Sequence, residues 1–197
     1  GTATLNAGGA GTGTITNAGE INVVSGNVTV GNDNVTTSNL IDVAAGSTMS
    51  GLATLEQTAG DIQGGGTIDV TGGFTQSGGS TGGTVDINAA TFAQSGGATI
   101  GAGTTVTSSG AQTLSGGTIA GNLDGAGAVT VDTATTSLTG AGAITGATAI
   151  GIVAGGTLAS DGDGIADAAT VTNNGVFTLT GDETIGALQG GGTMNLT

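Results

Sequence analysis

The sequence predicts an all-β fold, a parallel β-helix (β-solenoid) with about 18–20 residues in each turn. Three observations lead to this prediction: short segments of alternating polarity, an internal repeat, and an unusual composition. The 197 residues include 44 glycines, no proline, and three phenylalanines as the only aromatic residues. Such a chain lacks the large side chains that fill a thick globular core, but its Val, Ile, Leu and Ala can fill a narrow one.

Strands are favoured over helices along the whole chain. Glycine costs about 1 kcal/mol per helical residue relative to alanine, and Thr, Val and Asn are weak helix formers. Short runs instead alternate an aliphatic residue with Thr, Asp or Asn, the pattern of a half-buried strand. The predicted strands are Thr2–Leu5 and segments 14–16, 27–30, 67–70, 84–87, 129–131, 171–172 and 177–180. Pairs such as Gly-Gly and Ser-Gly between them indicate turns.

A repeat favours a solenoid over a sandwich. Its markers keep spacings of 17 to 19 residues, and they are Gln57, Gln76, Gln94 and Gln112, the pair Phe74 and Phe92, and the similar segments 65–70 and 82–87. Self-similarity at a fixed period indicates one structural unit per repeat, stacked on its neighbours. Glutamines stacked in register are expected to form an amide ladder along the rod.

The chain is therefore predicted to be one solenoid domain over residues 1–197, or a segment of a longer or polymeric rod. About ten turns spaced ~4.8 Å apart would make a rod ~50 Å long. Segment 160–168 is expected to leave the rod as a loop. The first residue is Gly rather than Met, which favours a processed or excerpted chain. Low charge density, a mean hydropathy of +0.28 and recurring β-branched runs favour folding over disorder.

The charge pattern excludes several partners. There is no Lys, Arg or His, and 14 acidic residues give a formal charge of −14. Nucleic acid is not expected as a partner, because contacts to phosphates depend on Lys and Arg. Membrane insertion is not expected either, since no segment reaches 18 consecutive apolar residues. Cations, by contrast, should be attracted.

The composition also argues against an enzyme. Nucleophilic and general-base catalysis usually recruit His, Cys, Lys or Tyr, and all four are missing. The remaining candidates are two carboxylate pairs of the kind that hydrolyse glycosides, Asp161 with Asp163 and Asp182 with Glu183. A sugar groove normally has aromatic platforms, which this chain cannot supply. These acids are interpreted as solvated loop residues, and no catalytic residue is assigned.

Calcium binding is the stronger chemical hypothesis. Asp161, Asp163 and Asp167 surround two glycines in a spacing similar to calcium loops of the D-x-D-G type. Hard oxygen ligands on a flexible turn suit Ca²⁺. The alternative is a plain Asp-Gly turn without metal.

Two further groups of acids have weaker patterns. The Asn32-Asp33-Asn34 segment is a shorter version of the same calcium hypothesis. Asp69 and Asp86 are instead expected to stack on one outer face, where cations would screen their repulsion.

Segment 181–196, with its Thr-Ile-Gly-Ala-Leu run followed by a Gly-rich turn and a Thr-Met-Asn-Leu strand, resembles repeats of bacterial autotransporter passengers and haemagglutinin-like adhesins. A similar sequence pattern recurs at 137–144. The resemblance implies secretion and a surface-exposed β-helical stalk, and it implies no catalytic residue. This chain departs from such passengers in lacking Lys, Arg and Tyr altogether.

The expected function is a structural subunit or stalk segment of a secreted bacterial surface fibre, sheath or adhesin. Strand-like ends at Thr2–Leu5 and Thr193–Leu196 favour polymerisation or continuation end to end. The expected partners are further copies of the chain, or other components of the cell surface or matrix. Two alternatives remain open: an adhesin module that presents a ligand site on loops, and an ice-binding solenoid based on the Thr-x-Thr strands.

Overall fold

A computed structural model of the chain describes residues 1–5 and 13–197. The described residues form 28 strands, from β1 to β28, and no helix. All strand pairings are parallel, and as far as β24 every third strand joins the same sheet, so the chain winds through three sheets in turn. This arrangement confirms the predicted parallel β-solenoid.

Eight strands form sheet A. They are β1 Thr2–Leu5, β4 Asn27–Val30, β7 Thr48–Leu52, β10 Thr67–Val70, β13 Asp86–Ala89, β16 Thr105–Ser108, β19 Asn122–Asp124 and β22 Ala143–Thr145. Ten strands form sheet B. They are β2 Thr14–Asn17, β5 Asn34–Thr37, β8 Thr54–Gln57, β11 Gly73–Gln76, β14 Thr91–Ser95, β17 Gln112–Ser115, β20 Val129–Val131, β23 Ala149–Ile152, β25 Thr170–Asn173 and β27 Ala187–Gln189.

Ten further strands form sheet C. They are β3 Glu20–Val23, β6 Leu40–Val43, β9 Asp61–Gly64, β12 Ser80–Thr81, β15 Thr99–Ile100, β18 Gly117–Ile119, β21 Thr135–Leu138, β24 Thr157–Ser160, β26 Val176–Leu179 and β28 Thr193–Leu196. Seven of the eight predicted strands overlap these positions closely. The predicted strand 84–87 is displaced, because the strand there begins at Asp86.

One strand from each sheet makes a turn of the rod, so β1 to β3 form turn 1 and β22 to β24 form turn 8. Turn 9 comprises β25 and β26, and turn 10 comprises β27 and β28. In turn 9 the place in sheet A is taken by Ile165, which bridges Ile144 and is buried. The expectation that segment 160–168 leaves the rod is therefore wrong, because a buried isoleucine in its middle keeps it in the stack.

The core is a set of columns running along the rod. In the strands between the terminal turns the inward side chains are buried and the outward ones are more exposed, as the burial patterns of β10 and β25 show. Because parallel pairing aligns turns residue by residue, each inward side chain packs on its register partners in the adjacent turns. Phe74 and Phe92 are such a pair, with ring centroids 5.4 Å apart and planes inclined at 34°.

One glycine allows an extra residue within a strand. Between β7 and β10 the register shifts, so that Met49 pairs with Ile68 but Leu52 pairs with Val70. Gly51 lies in the bulge with a φ of +75°, a conformation that glycine adopts without steric cost. The bulge returns Leu52 to the core, where it is fully buried.

The predicted amide ladder exists in part. Gln57, Gln76 and Gln94 lie in register and are buried, and each later amide donates to the Oε1 of the one before it. Gln112 does not continue the ladder, because it pairs with Phe92, while Leu114 pairs with Gln94. The prediction is therefore wrong for Gln112. Its spacing of 18 residues matched the period, but the corner that precedes it contains more residues than the corner one turn earlier.

The glycine-containing repeat at 65–70 and 82–87 is also displaced by two residues. Asp86 pairs with Thr67, and Asp69 pairs with Asn88. Asp69 and Asp86 thus share the outer face of sheet A but are not register partners. Asn88 fills the predicted position, and its Nδ2 donates to Asp69 Oδ1 at 2.8 Å.

Candidate functional site

Carboxylates on the outside of the rod accept hydrogen bonds from neutral side chains, since the chain has no Lys, Arg or His. The donor usually lies in an adjacent turn. Such pairs are Thr36 with Glu56, Gln63 with Asp42, Ser80 with Asp61, and Asn88 with Asp69. The hydrogen bonds link successive turns, but the negative charges stay uncompensated.

The proposed calcium loop forms the corner between sheets C and A in turns 8 and 9. Asp161 Oδ2 accepts from the backbone N–H of Gly140 at 2.6 Å, one turn earlier. Asp163 has a φ of +48°, and its N–H donates to the backbone carbonyl of Asp182 at 2.9 Å. The corner is therefore held by hydrogen bonds to the turns on both sides of it.

Glu183 makes the most extensive side-chain contacts at this corner. Its carboxylate accepts from Ser160 Oγ at 3.1 Å and from the backbone N–H groups of Gly164 at 3.0 Å and Ile165 at 3.3 Å. Hydrogen bonds to an ionised acceptor are stronger than those between neutral groups. Glu183 therefore secures the segment that leads Ile165 into the core. From the sequence, Glu183 is interpreted together with its neighbour Asp182. Its contacts lie 18 to 23 residues earlier, so only the turn length could indicate them.

The three acids of the calcium hypothesis do not converge. Asp161 and Asp163 precede Ile165 at one corner of the rod, whereas Asp167 follows it and lies exposed at the next corner. Within residues 1–5 and 13–197 no group of three or more acidic side chains is placed to hold a metal ion. Calcium binding at this loop stays a prediction.

In the weaker calcium candidate, segment 32–34, two side chains likewise form hydrogen bonds to adjacent turns. Asp33 is fully buried, and its Oδ1 accepts from the backbone N–H of Gly13 at 2.6 Å. Asn34 Oδ1 accepts from Thr54 Oγ1 at 2.8 Å. Both side chains thus connect neighbouring turns.

A groove runs along the corner between sheets A and B, across turns 4 to 7. Its volume is about 500 Å³. Polar lining comes from Asp69, Asn88, Thr107 and Ser109, while Ala126 forms part of the apolar wall. The groove is open to solvent, and carboxylate, amide and hydroxyl groups are among those that line it.

The face of turn 10 exposes side chains of the core type. These are Leu188, Met194 and Leu196, which are 45%, 40% and 72% exposed. Their register partners one turn earlier are buried, namely Val171, Phe177 and Leu179. The three residues thus occupy inward columns but have no turn above them within the described residues. At the other end, Ile15 and Ile21 in turn 1 are only partly buried.

In the described part of the chain, no helix has the length and apolar character needed to cross a bilayer. No family model, no curated protein and no solved structure matches the sequence.

Proposed function

We propose that this chain is a structural segment of a secreted bacterial surface fibre, sheath or adhesin stalk, in which turns continue or polymerise end to end. Its role would be mechanical, and no catalytic residue is part of the proposal. One observation carries it: the core columns run to the face of turn 10 and leave Leu188, Met194 and Leu196 exposed there.

The energetics of that face favour a further turn. Burying a large aliphatic side chain contributes about 1.5–3 kcal/mol. The open backbone groups of β27 and β28 can also pair with another strand, as edge strands do. Turn 1 presents Ile15 and Ile21 from the same columns of sheets B and C, so a second copy can continue the stack.

The surface chemistry supports an extracellular rod. The chain carries no Lys or Arg, so it contains no trypsin cleavage site. Hydrogen bonds from Thr, Ser, Asn and Gln take the place of salt bridges between turns. A rod of uniform negative charge is expected to repel its neighbours sideways, which favours growth along the axis.

The experiment compares two substitutions in β28. Leu196 lies in an inward column and Asn195 points outward, so Leu196→Asp places a charge on the stacking face while Asn195→Asp places the same charge beside it. Electron microscopy and sedimentation velocity would measure assembly. We expect end-to-end filaments for the unaltered chain and for Asn195→Asp, and single rods for Leu196→Asp. Single rods from the unaltered chain, or filaments from Leu196→Asp, would contradict end-to-end polymerisation through this face.

A binding module is the second candidate, and the groove between sheets A and B favours it. Its volume lies within the range of ligand pockets, about 300–1,000 Å³. A panel of soluble oligosaccharides would be tested for binding by calorimetry, with Asn88→Ala as the groove variant and Gln189→Ala, on a distant outer face, as its control. Binding that Asn88→Ala alone abolishes would support this candidate.

A further inference from the structure

The amide ladder ends abruptly between turns 5 and 6, because two residues of β17 are exchanged relative to the columns. The amide column contains Gln57, Gln76 and Gln94, and the apolar column beside it contains Leu55, Phe74 and Phe92. Gln112 enters the apolar column and Leu114 enters the amide column. A buried amide is thereby placed between apolar neighbours.

The side chain of Gln112 finds no hydrogen-bond partner among the described residues. It is 1% exposed, and neither its Nε2 nor its Oε1 is bonded. Its register partners are Phe92 in turn 5 and Val129 in turn 7, which carry no polar side chain. Gly125 also lies against the amide, since a Cβ atom there would be 2.8 Å from Nε2, but a glycine supplies no side-chain donor or acceptor.

Register partners without polar side chains also explain two of the three other buried polar atoms that lack a partner among the described residues; the third is Thr104 Oγ1, at the corner before β16. Gln94 Oε1 lacks a donor because its register partner in turn 6 is Leu114. Thr136 Oγ1 is unpartnered because its register partners are Gly117 and Leu158. All such atoms among the described residues fall within segment 94–136, in turns 5 to 7.

Two of these atoms are separated by a residue without a side chain. The amide of Gln94 extends to Gly117, where a Cβ atom would lie 3.2 Å from Nε2. Thr136 follows Gly117 in register one turn later. Gln94 Oε1 and Thr136 Oγ1 therefore belong to turns 5 and 7, with a glycine between them in turn 6.

We propose that turns 5 to 7 enclose ordered internal water, hydrogen-bonded to the amide of Gln112 and to Gln94 Oε1 and Thr136 Oγ1. Buried polar groups that lack a protein partner are commonly satisfied by water, which offers two donors and two acceptors. A neutral amide between apolar neighbours suits water better than an ion, because an ion would lose its hydration without gaining an opposite charge. Elsewhere among the described residues, the buried polar side chains are hydrogen-bonded within the protein, so no further internal water is needed there.

The first test locates the water directly. A crystal structure at atomic resolution, together with water–amide nuclear Overhauser effects on ¹⁵N-glutamine-labelled protein, would be recorded for the unaltered chain and for Gln112→Leu. We expect a long-lived water within hydrogen-bonding distance of the Gln112 amide, and its loss in Gln112→Leu. A Gln112 amide bonded directly to protein groups, with no water, would overturn the proposal.

The second test measures stability, and its control, Gln57→Leu, is expected to lower stability whereas Gln112→Leu is not. Gln57 is a ladder amide whose Nε2 donates to the carbonyls of Gly60 and Ser80. We expect Gln57→Leu to raise the unfolding equilibrium constant about 5- to 30-fold, because those carbonyls and the amide of Gln76 lose a partner. Gln112→Leu should leave it unchanged or lower it. A rise for Gln112→Leu as large as that for Gln57→Leu would contradict water as the sole partner.

A double substitution tests whether the water depends on the position of the amide relative to the columns or on the sequence around residue 112. Gln112→Leu combined with Leu114→Gln would restore both columns, since residue 114 lies in register with Gln94. We expect this variant to unfold with a lower equilibrium constant than the unaltered chain and to lose the water at residue 112. Retention of that water in the double variant would show that the Gln112 amide does not hold it.

Discussion

The side-chain amide of Gln76 donates to Oε1 of Gln57, 3.1 Å away and one turn earlier in the rod. The same Nε2 also donates to the backbone carbonyl of Thr99, one turn later. Gln76 therefore connects three successive turns from inside the core. Asn17 and Asn173 make the corresponding bond to the next turn at other levels, with Leu40 and Thr193 as acceptors. Inward amides at the end of sheet B strands thus hold turns together along the rod.

Replacement of the central amide should be costly. We expect Gln76→Leu to lower the free energy of unfolding by about 1–3 kcal/mol, because Gln57 Oε1 and the Thr99 carbonyl lose their donor in a buried site. Urea denaturation followed by circular dichroism would measure it. Gln189→Leu is the control, because Gln189 is exposed and bonds only to Thr172 Oγ1 on the outer face. Its effect should stay within about 0.5 kcal/mol.

The contact between the two buried phenylalanine rings predicts a measurable contribution to stability. Phe74 and Phe92 are fully buried register partners with centroids 5.4 Å apart. We expect Phe92→Ala to cost about 3–5 kcal/mol through the cavity it leaves. A double-mutant cycle with Phe74→Leu and Phe92→Leu should give a coupling of about 0.5–1.5 kcal/mol from the ring contact. A coupling of zero would show that the rings contribute only their separate burial.

Glycines at the corners should differ sharply in their tolerance of a side chain. A Cβ atom at Gly66 would lie 2.6 Å from the carbonyl oxygens of Ala44 and Ser47, so Gly66→Ala should destabilise the rod. Gly97 has nothing within 4 Å of its Cβ position, and its φ is not positive. Gly97→Ala should therefore be neutral or stabilise by about 0.4–1 kcal/mol, since alanine restricts the unfolded chain. Thermal unfolding of the two variants in parallel would show whether the order holds.

The contacts of Glu183 predict a local effect. Glu183→Ala removes the acceptor for the N–H groups of Gly164 and Ile165, so their amide hydrogens should exchange faster with solvent. Asp182→Ala is the matched control, because Asp182 is exposed and accepts the hydrogen bond of Asp163 through its backbone carbonyl. Hydrogen–deuterium exchange would measure both. Equal exchange in the two variants would mean that the carboxylate of Glu183 does not secure this corner.

The charge predicts how rods associate sideways. With 14 acidic residues and no Lys, Arg or His, rods should repel one another at low ionic strength. Millimolar Ca²⁺ or Mg²⁺ should promote bundling, and chelation should reverse it, because divalent cations bridge carboxylates on separate rods. Light scattering would follow the process, with sodium chloride of equal ionic strength as the control. Bundling that is insensitive to chelator and to salt would contradict this electrostatic account.

Much of the fold follows from local patterns. Alternation in segments such as 27–30 and 129–131 identified strands that the structure places there, and the repeat identified a solenoid turn. Parallel stacking then explains why Phe74 pairs with Phe92 and Gln76 with Gln94. These predictions succeeded because alternation depends only on neighbouring residues, and the repeat depends only on equal intervals along the chain.

Register at individual turns could not be predicted in the same way. Three residues separate Ser108 from Gln112 at one corner, whereas two separate their register partners, Ala89 and Phe92, a turn earlier. A second extra residue lies at the corner after Gln94, where four residues separate Gln94 from Thr99 and three separate their partners Gln76 and Ser80. Together the two extra residues move Gln112 by two positions and out of the ladder. Corner length is set by how the backbone closes against the turn before it, and local alternation carries no information about that closure.

The sequence by itself determined the parallel β-solenoid, the length of its turn and the uncompensated negative charge, because alternation, repetition and composition are local. Only the tertiary structure decided which residues meet between turns. It set Gln112 against Phe92, separated Asp167 from Asp161 and Asp163, and brought Glu183 to the corner at Ser160. The physical reason is that register depends on the accumulated length of every corner, so a difference of one or two residues changes every contact between adjacent turns.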